Sequence, residues 1–221
     1  MANRKIKKSN SQKKTKFTMP KWMDCAWRRE RCQQKDCPIC SRIEKDRERH
    51  LKRGEDPDTL EAALADVGTQ FKEILSTIKA DAARHGFKIS NIDNVKEPPE
   101  PHKFPLYNKV FDWRQDIYNT AYESDEVSSS WLYTEAAEDL LWYANTLIAK
   151  TYRQLCNRWH IKEGDEYGQE DFDYTRYVLK ECFSILKHSL AELTKMDITQ
   201  KGKFTIALVM LNSLEREILK I

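Results

Sequence analysis

Cys25, Cys32, Cys37 and Cys40 lie within sixteen residues of one another. Six residues separate the first pair, four the second and two the third. The last pair reads Cys37-Pro38-Ile39-Cys40. A two-residue gap lets both thiolates reach one tetrahedral ion while the turn's amides donate to sulfur. A helix beginning behind Cys40 would further favour thiolate through its N-terminal dipole. The Cys25/Cys32 gap exceeds the usual two to four residues and calls for a wider loop or a helical turn. The pattern predicts one zinc ion per chain, held by all four cysteines. Alternatives are His50 replacing one cysteine, an iron–sulfur cluster, or a set of reduced thiols. The cluster has no tandem two-residue gaps of the kind iron–sulfur sites use.

Charge gathers around these cysteines. Residues 1–53 carry eighteen basic and six acidic side chains, a net +12; the remaining residues carry twenty basic against twenty-nine acidic, a net −9. A basic head on an acidic body points to a polyanionic partner. Arg4, Lys5, Lys7, Lys8, Lys13, Lys14 and Lys16 would supply salt-sensitive attraction to phosphate, and Arg28, Arg29 and Arg31 would position it beside the metal module. Trp22 and Trp27 are expected to pack over the metal as a miniature core.

Farther along, chemistry thins out. Cys156 and Cys182 stand alone at apolar helical positions and read as small core residues. Glu135, Glu138 and Asp139 sit where a first helical turn favours acids, and no Glu-x-x-His accompanies them to make a di-iron site. No phosphate loop, nucleophile elbow or serine triad signature occurs. Arg153 and His160 form an Arg-x6-His pattern. It resembles the Arg-x4–6-His motif of HEPN ribonucleases, which are helical bundles. That resemblance implies a metal-independent RNA cleavage site built from these two residues across a dimer. It covers two residues only, and with fourteen arginines and five histidines about one such pair arises by chance.

The elements that must carry these residues read as helices throughout. Glycine and proline break the chain cleanly, and the long windows between are rich in Leu, Ala, Glu and Lys. A short helix is expected over residues 41–52 and a long one over 58–85. In the long helix Leu60, Leu64, Val67, Phe71, Ile74 and Ile78 recur at alternating four and three, a heptad seam suited to one other helix or a shallow groove. Pro98, Pro99 and Pro101 then impose an extended linker. Four amphipathic helices follow over 105–124, 130–159, 171–194 and 203–220, the second capped by the serine run Ser128–Ser130. No alternating strand pattern occurs. The fold class is mainly α, with a small four-cysteine zinc-binding head, a long amphipathic helix, a proline-rich linker and an antiparallel four-helix bundle. The boundaries are a disordered basic tail 1–21, the cysteine module 22–53, the long helix 54–86, the linker 87–104 and the bundle 105–221.

No run of about eighteen apolar residues is present, so no membrane helix is expected. The basic N-terminus has no apolar stretch behind it, which predicts a cytoplasmic protein whose cysteines stay reduced. The second bundle helix carries more aromatics than one buried stripe can hold (Trp131, Tyr133, Trp142, Tyr143, Tyr152, Trp159). Some must meet the long helix, the linker, a protein partner or a second copy. The leading expectation is a non-enzymatic binding protein. Its zinc-stabilised head would engage nucleic acid, RNA or a ribonucleoprotein above all, and its bundle a protein partner or a homodimer. A HEPN-like ribonuclease and a scaffold subunit with an acidic protein partner are the alternatives.

Overall fold

The computed structural model describes residues 21–86, 97–123, 129–164, 168–196 and 198–221. The basic tail, with Arg4, Lys5, Lys7, Lys8, Lys13, Lys14 and Lys16, lies outside the described residues, as does most of the linker. Among the described residues the chain is helical, with seven α-helices and no strand. They are α1 Lys21–Cys25, α2 Pro38–Lys52, α3 Leu60–Arg84, α4 Pro105–Tyr122, α5 Glu135–Lys162, α6 Gly168–Lys195 and α7 Lys201–Ile218.

The last four close into a ring in which α4 touches α5 and α7, and α6 touches α5 and α7. Neighbours run antiparallel. Lys109 of α4 meets Glu217 near the end of α7, whereas Glu123 past the end of α4 meets Lys203 at the start of α7. Short connections between amphipathic helices produce this arrangement. The core is built from one apolar stripe on each helix: Val110, Trp113 and Ile117 of α4, Leu140, Ala144 and Leu147 of α5, Val178 and Cys182 of α6, and Phe204, Leu211 and Leu214 of α7, all buried. Burial pushes the Cys182 thiol up to about 12, so it stays a neutral core residue. The Trp113 indole donates to the Ala207 carbonyl and so satisfies its only polar group.

Helix α5 starts later than the serine run predicts. Thr134 is its N-cap, accepting from the Ala137 amide at 3.2 Å, and residues 129–133 form a separate 3-10 turn. That turn drives Trp131 into the core, edge-on to Phe204 at 4.9 Å between ring centres. Tyr133, expected on the buried stripe, falls outside the helix and stands exposed.

Between α2 and α3 the chain reverses through Gly54, whose φ of +73° suits glycine. Thr59 then caps α3, accepting from Ala62. The two helices meet through polar side chains. Arg42 of α2 reaches Glu73 of α3 at 2.7 Å, Arg49 reaches Asp66 at 2.6 Å, and Asp46 accepts from Gln70 at 3.0 Å. On a helical wheel Asp66 and Glu73 lie well round from the heptad seam, and Gln70 lies at its edge. The seam therefore lies outside the contact with α2, and its six side chains are between 51% and 71% exposed. Pairing with another helix of the chain, which the heptad spacing allows, does not occur among the described residues.

Candidate metal centre and its anchorage

Cys25 ends α1, Cys32 and Cys37 bracket the following loop, and Cys40 lies in the first turn of α2. The chain makes this site by ordinary helix-end chemistry. Cys37 occupies the N-cap of α2 in extended geometry, Pro38 opens the helix, and Ser41 donates to the Cys37 carbonyl at 2.9 Å. The six-residue gap between Cys25 and Cys32 is spanned by an open loop, which Arg31 closes by donating to the Cys25 carbonyl at 2.9 Å. Gln33 adopts φ +52°, a left-handed turn between the two halves.

The four sulfurs lie within 4.8 Å of one another and are positioned to hold a metal ion. Cys40 Sγ is 3.6 Å from both Cys25 Sγ and Cys32 Sγ. Tetrahedral thiolate ligands at ~2.3 Å from one ion would stand about 3.8 Å apart, so these edges fit a single tetrahedral ion. The Cys32 amide points at Cys25 Sγ at 3.5 Å, a donor of the kind that stabilises coordinated sulfur. Without a cation the thiols cannot all ionise. The Cys40 and Ile39 amides favour the Cys37 thiolate and hold its pKa down to about 7. At Cys32 the backbone hydrogen bond with Gln34 favours ionisation, but loss of solvent and the three crowding thiols outweigh it and push the pKa up to about 12. Burial also raises Cys40. Closely spaced thiols of which Cys32 and Cys40 resist ionisation beside one another suit a site completed by a divalent cation.

His50 is not a substitute ligand. Its Nδ1 lies 2.6 Å from Glu55 and its Nε2 2.8 Å from Asp66, so both ring nitrogens are taken within the α2–α3 contact.

The centre is not free of the bundle. Trp27, expected as a lid over the metal, instead enters the bundle core, edge-on to Tyr143 at 6.0 Å. The Trp142 indole donates to the Trp27 carbonyl at 3.3 Å, and the Arg29 amide donates to the Tyr143 hydroxyl at 3.1 Å. Arg29 reaches Asp139 at 2.6 Å and Glu138 at 2.8 Å, with Glu135 beyond at 3.8 Å. The hydrogen bond to Asp139 dominates in raising the Arg29 pKa. Arg28 lies 4.5 Å over the Trp27 ring and pairs with Asp24 at 3.0 Å and Glu181 at 3.1 Å. Burial lowers the Arg28 pKa, but these carboxylates more than offset it. The acidic first turn of α5 thus serves as a receptor for the head. Surplus aromatics on α5 are consumed the same way, since Tyr152 also donates to Pro99 at 3.2 Å and packs on Phe104, pinning the linker's end.

Of the three arginines expected to meet phosphate, Arg28 and Arg29 are therefore engaged by carboxylates of the same chain. Arg31 is exposed and its described partner is a carbonyl. It lines a cleft of about 660 Å³ with Lys35, Cys40, Ile43 and Arg47. Lys35 is exposed there, whereas Arg47 is paired with Asp58. In the bundle, Arg153 grips Asp171 with two hydrogen bonds at 2.7 and 2.8 Å, and His160 stacks edge-on to Trp159. Neither residue lines the cysteine-side cleft or the second cleft, of about 240 Å³, between α4 and α7. The Asp171 carboxylate occupies the guanidinium that RNA cleavage would need.

Fold and site together define a four-cysteine cluster, positioned to hold a metal ion and clamped onto a four-helix bundle, with a salt-bridged helical hairpin projecting from it. Comparison with protein-family models, with curated proteins and with solved structures found no match. No helix among the described residues is long and apolar enough to cross a membrane.

Proposed function

We propose that this chain is a non-enzymatic, zinc-containing scaffold whose protein-binding surface is the apolar seam of α3. The observation that carries this reading is the exposure of all six seam residues of α3, outside its contacts with α2. A solvated ladder of Leu, Val, Phe and Ile over five turns is a surface that soluble proteins cover with a partner. The metal centre serves this role indirectly. It fixes the start of α2, while Trp27 and Arg29 fix the centre to the bundle, so the hairpin leaves the bundle from a rigid base. Zinc is the ion of choice because four thiolates at single-ion spacing suit its filled d shell and leave no open position for catalysis. Reduced thiols of this kind suit a cytoplasmic setting. The test is purification of the full chain beside a Val67→Glu/Phe71→Glu variant, with metal content measured on both. Partners retained by the first and lost by the second support the scaffold; an identical set on both sinks it.

A second reading, nucleic-acid binding, is favoured by Arg31 and Lys35, which stand exposed at the cysteine-side cleft without a described carboxylate on either. With the tail's seven basic residues they would form a phosphate-binding stripe. RNA retained at low salt, and an absorbance ratio at 260 and 280 nm that falls when residues 2–16 are removed, would favour it. Failure to bind RNA or DNA at low salt would end it.

A further inference from the structure

The seam of α3 has a definite register. With Leu64, Phe71 and Ile78 at the a positions, Leu60, Val67 and Ile74 fall at d. The positions flanking the seam then decide what kind of helix can lie on it. On the e side these are Glu61, Gly68, Leu75 and Ala82; on the g side, Ala63, Gln70, Thr77 and Arg84. Over the three central layers every flank is uncharged. Coiled coils that must choose a foreign partner carry that choice in e and g charges, and here only the end positions Glu61 and Arg84 are charged. An identical helix meets no like-charge repulsion along either edge, in parallel or antiparallel orientation. The small flanks Ala63, Gly68 and Ala82 allow close approach. The charges of α3 that do exist near the hairpin, Asp66 and Glu73, point to α2 and are already paired.

We propose that α3 pairs with α3 of a second copy of this chain, so that the protein is a dimer held by a short two-stranded coiled coil. The proposal rests on the reading of the seam as a protein-binding surface and names its occupant. Size supports it. From their fractional exposures, the seam residues and Leu75 offer about 700 Å² per chain, so that pairing would remove at most about 1,400 Å² in all, at the lower end of the ~1,200–2,000 Å² of stable specific interfaces. The seam needs no rearrangement to pair, because α2 contacts α3 through Asp66, Gln70 and Glu73, outside the a and d positions.

The test uses the full chain with its metal bound. Light scattering after size exclusion, across micromolar concentrations, should give twice the 26.1 kDa chain mass for the natural protein. Val67→Glu/Phe71→Glu and Val67→Lys/Phe71→Lys should each be monomeric, with unchanged helicity by circular dichroism and unchanged metal content, since both positions face solvent in the single chain. Mixing the two variants should restore the dimer, because in a parallel pair like positions oppose and in an antiparallel pair residue 67 opposes residue 71. A natural chain that is monomeric throughout overturns the proposal. A dimer indifferent to the variants, or one that mixing does not restore, overturns it as well, since the contact would then lie elsewhere. If self-pairing fails while the Glu variant still loses other partners, the scaffold reading survives with a foreign helix on the seam. If neither is lost, both readings fail.

Discussion

Replacing Trp27 with alanine should destabilise the bundle, although Trp27 precedes the first bundle helix by some eighty residues. The side chain is 5% exposed and sits in the bundle's own cluster with Tyr143. Truncating a buried tryptophan costs roughly 3–5 kcal/mol, and the lower figure applies here because Arg28 covers one face from the solvent side. Its indole Nε1 is buried without a described acceptor, which further reduces what the native residue contributes. A loss of about 3 kcal/mol, with a urea m-value of about 1.5 kcal/mol per molar, lowers the unfolding midpoint by about 2 M. The assay is urea unfolding followed by far-ultraviolet circular dichroism, which is dominated by α4–α7. Trp27→Phe keeps the ring contact and removes the unpartnered N–H, so it should fall within about 1 kcal/mol of the natural protein. Chelating the metal should also lower the midpoint in the natural chain, and should do so much less in Trp27→Ala, where the head is already released. A midpoint in Trp27→Ala within about 0.5 M of the natural one would refute the docking of head on bundle.

Elemental analysis should find one zinc per chain, with binding lost in Cys37→Ser; a brown protein containing iron and sulfide would replace zinc by a cluster. Gly68→Ala should raise helicity and stabilise α3 by roughly 0.5–1 kcal/mol, because a Cβ there meets nothing within 4 Å; a destabilised α3 would show that the position is closely covered. His50 supplies a pH dependence. Hydrogen bonds to Glu55 and then to Asp66, which accept from the protonated ring, raise its pKa above the ordinary 6.5, while Arg49 also sits on Asp66. The folded form binds the proton more tightly than the unfolded one, so this stabilisation is complete below about pH 6.5 and is lost as pH rises through the raised value. Amide exchange in α2 and α3, corrected for its intrinsic rate, should therefore show weaker protection above that value, and His50→Gln should flatten the trend; a flat profile in the natural chain would refute it. For the nucleic-acid reading, Arg31→Ala/Lys35→Ala should reduce the log–log salt slope by up to about 1.4–1.8.

Much of this molecule is legible in its sequence, for reasons that differ by element. The bundle stripes are legible because each spaces large apolar residues at three and four with no competing pattern, and burial follows. The cysteine site is legible because metal geometry depends on local spacing: Cys37-Pro38-Ile39-Cys40 encodes its own turn. The N-cap of α5 is not, because Ser128–Ser130 and Thr134 are chemically equivalent caps and the choice is made by Trp131, whose burial requires an intervening turn. The fates of Arg28 and Arg29 are not legible either. A basic pair beside clustered cysteines reads equally well toward phosphate and toward a carboxylate, and the deciding partners, Glu138, Asp139 and Glu181, lie more than a hundred residues away. One signal was available in retrospect. The excess of aromatics on α5 and the acids in its first turn together describe a receptor that needs an aromatic and basic ligand, and Trp27-Arg28-Arg29 is that ligand.

The charge division along the chain then has a structural sense apart from any outside partner. A four-cysteine knuckle of this size has too little apolar surface to hold a fixed position alone. Docked through one buried ring and two arginines, it gains a defined orientation from directional ion pairs around a small apolar contact. The same logic recurs between α2 and α3, where Arg42, Arg49 and His50 select Glu73 and Asp66. Both joints use charge for placement and so keep the hydrophobic seam out of the internal packing. An apolar joint between α2 and α3 would have consumed the side chains that now face solvent. An ionic joint fixes α3 just as definitely and leaves its apolar seam free, which is the arrangement a projecting docking helix requires.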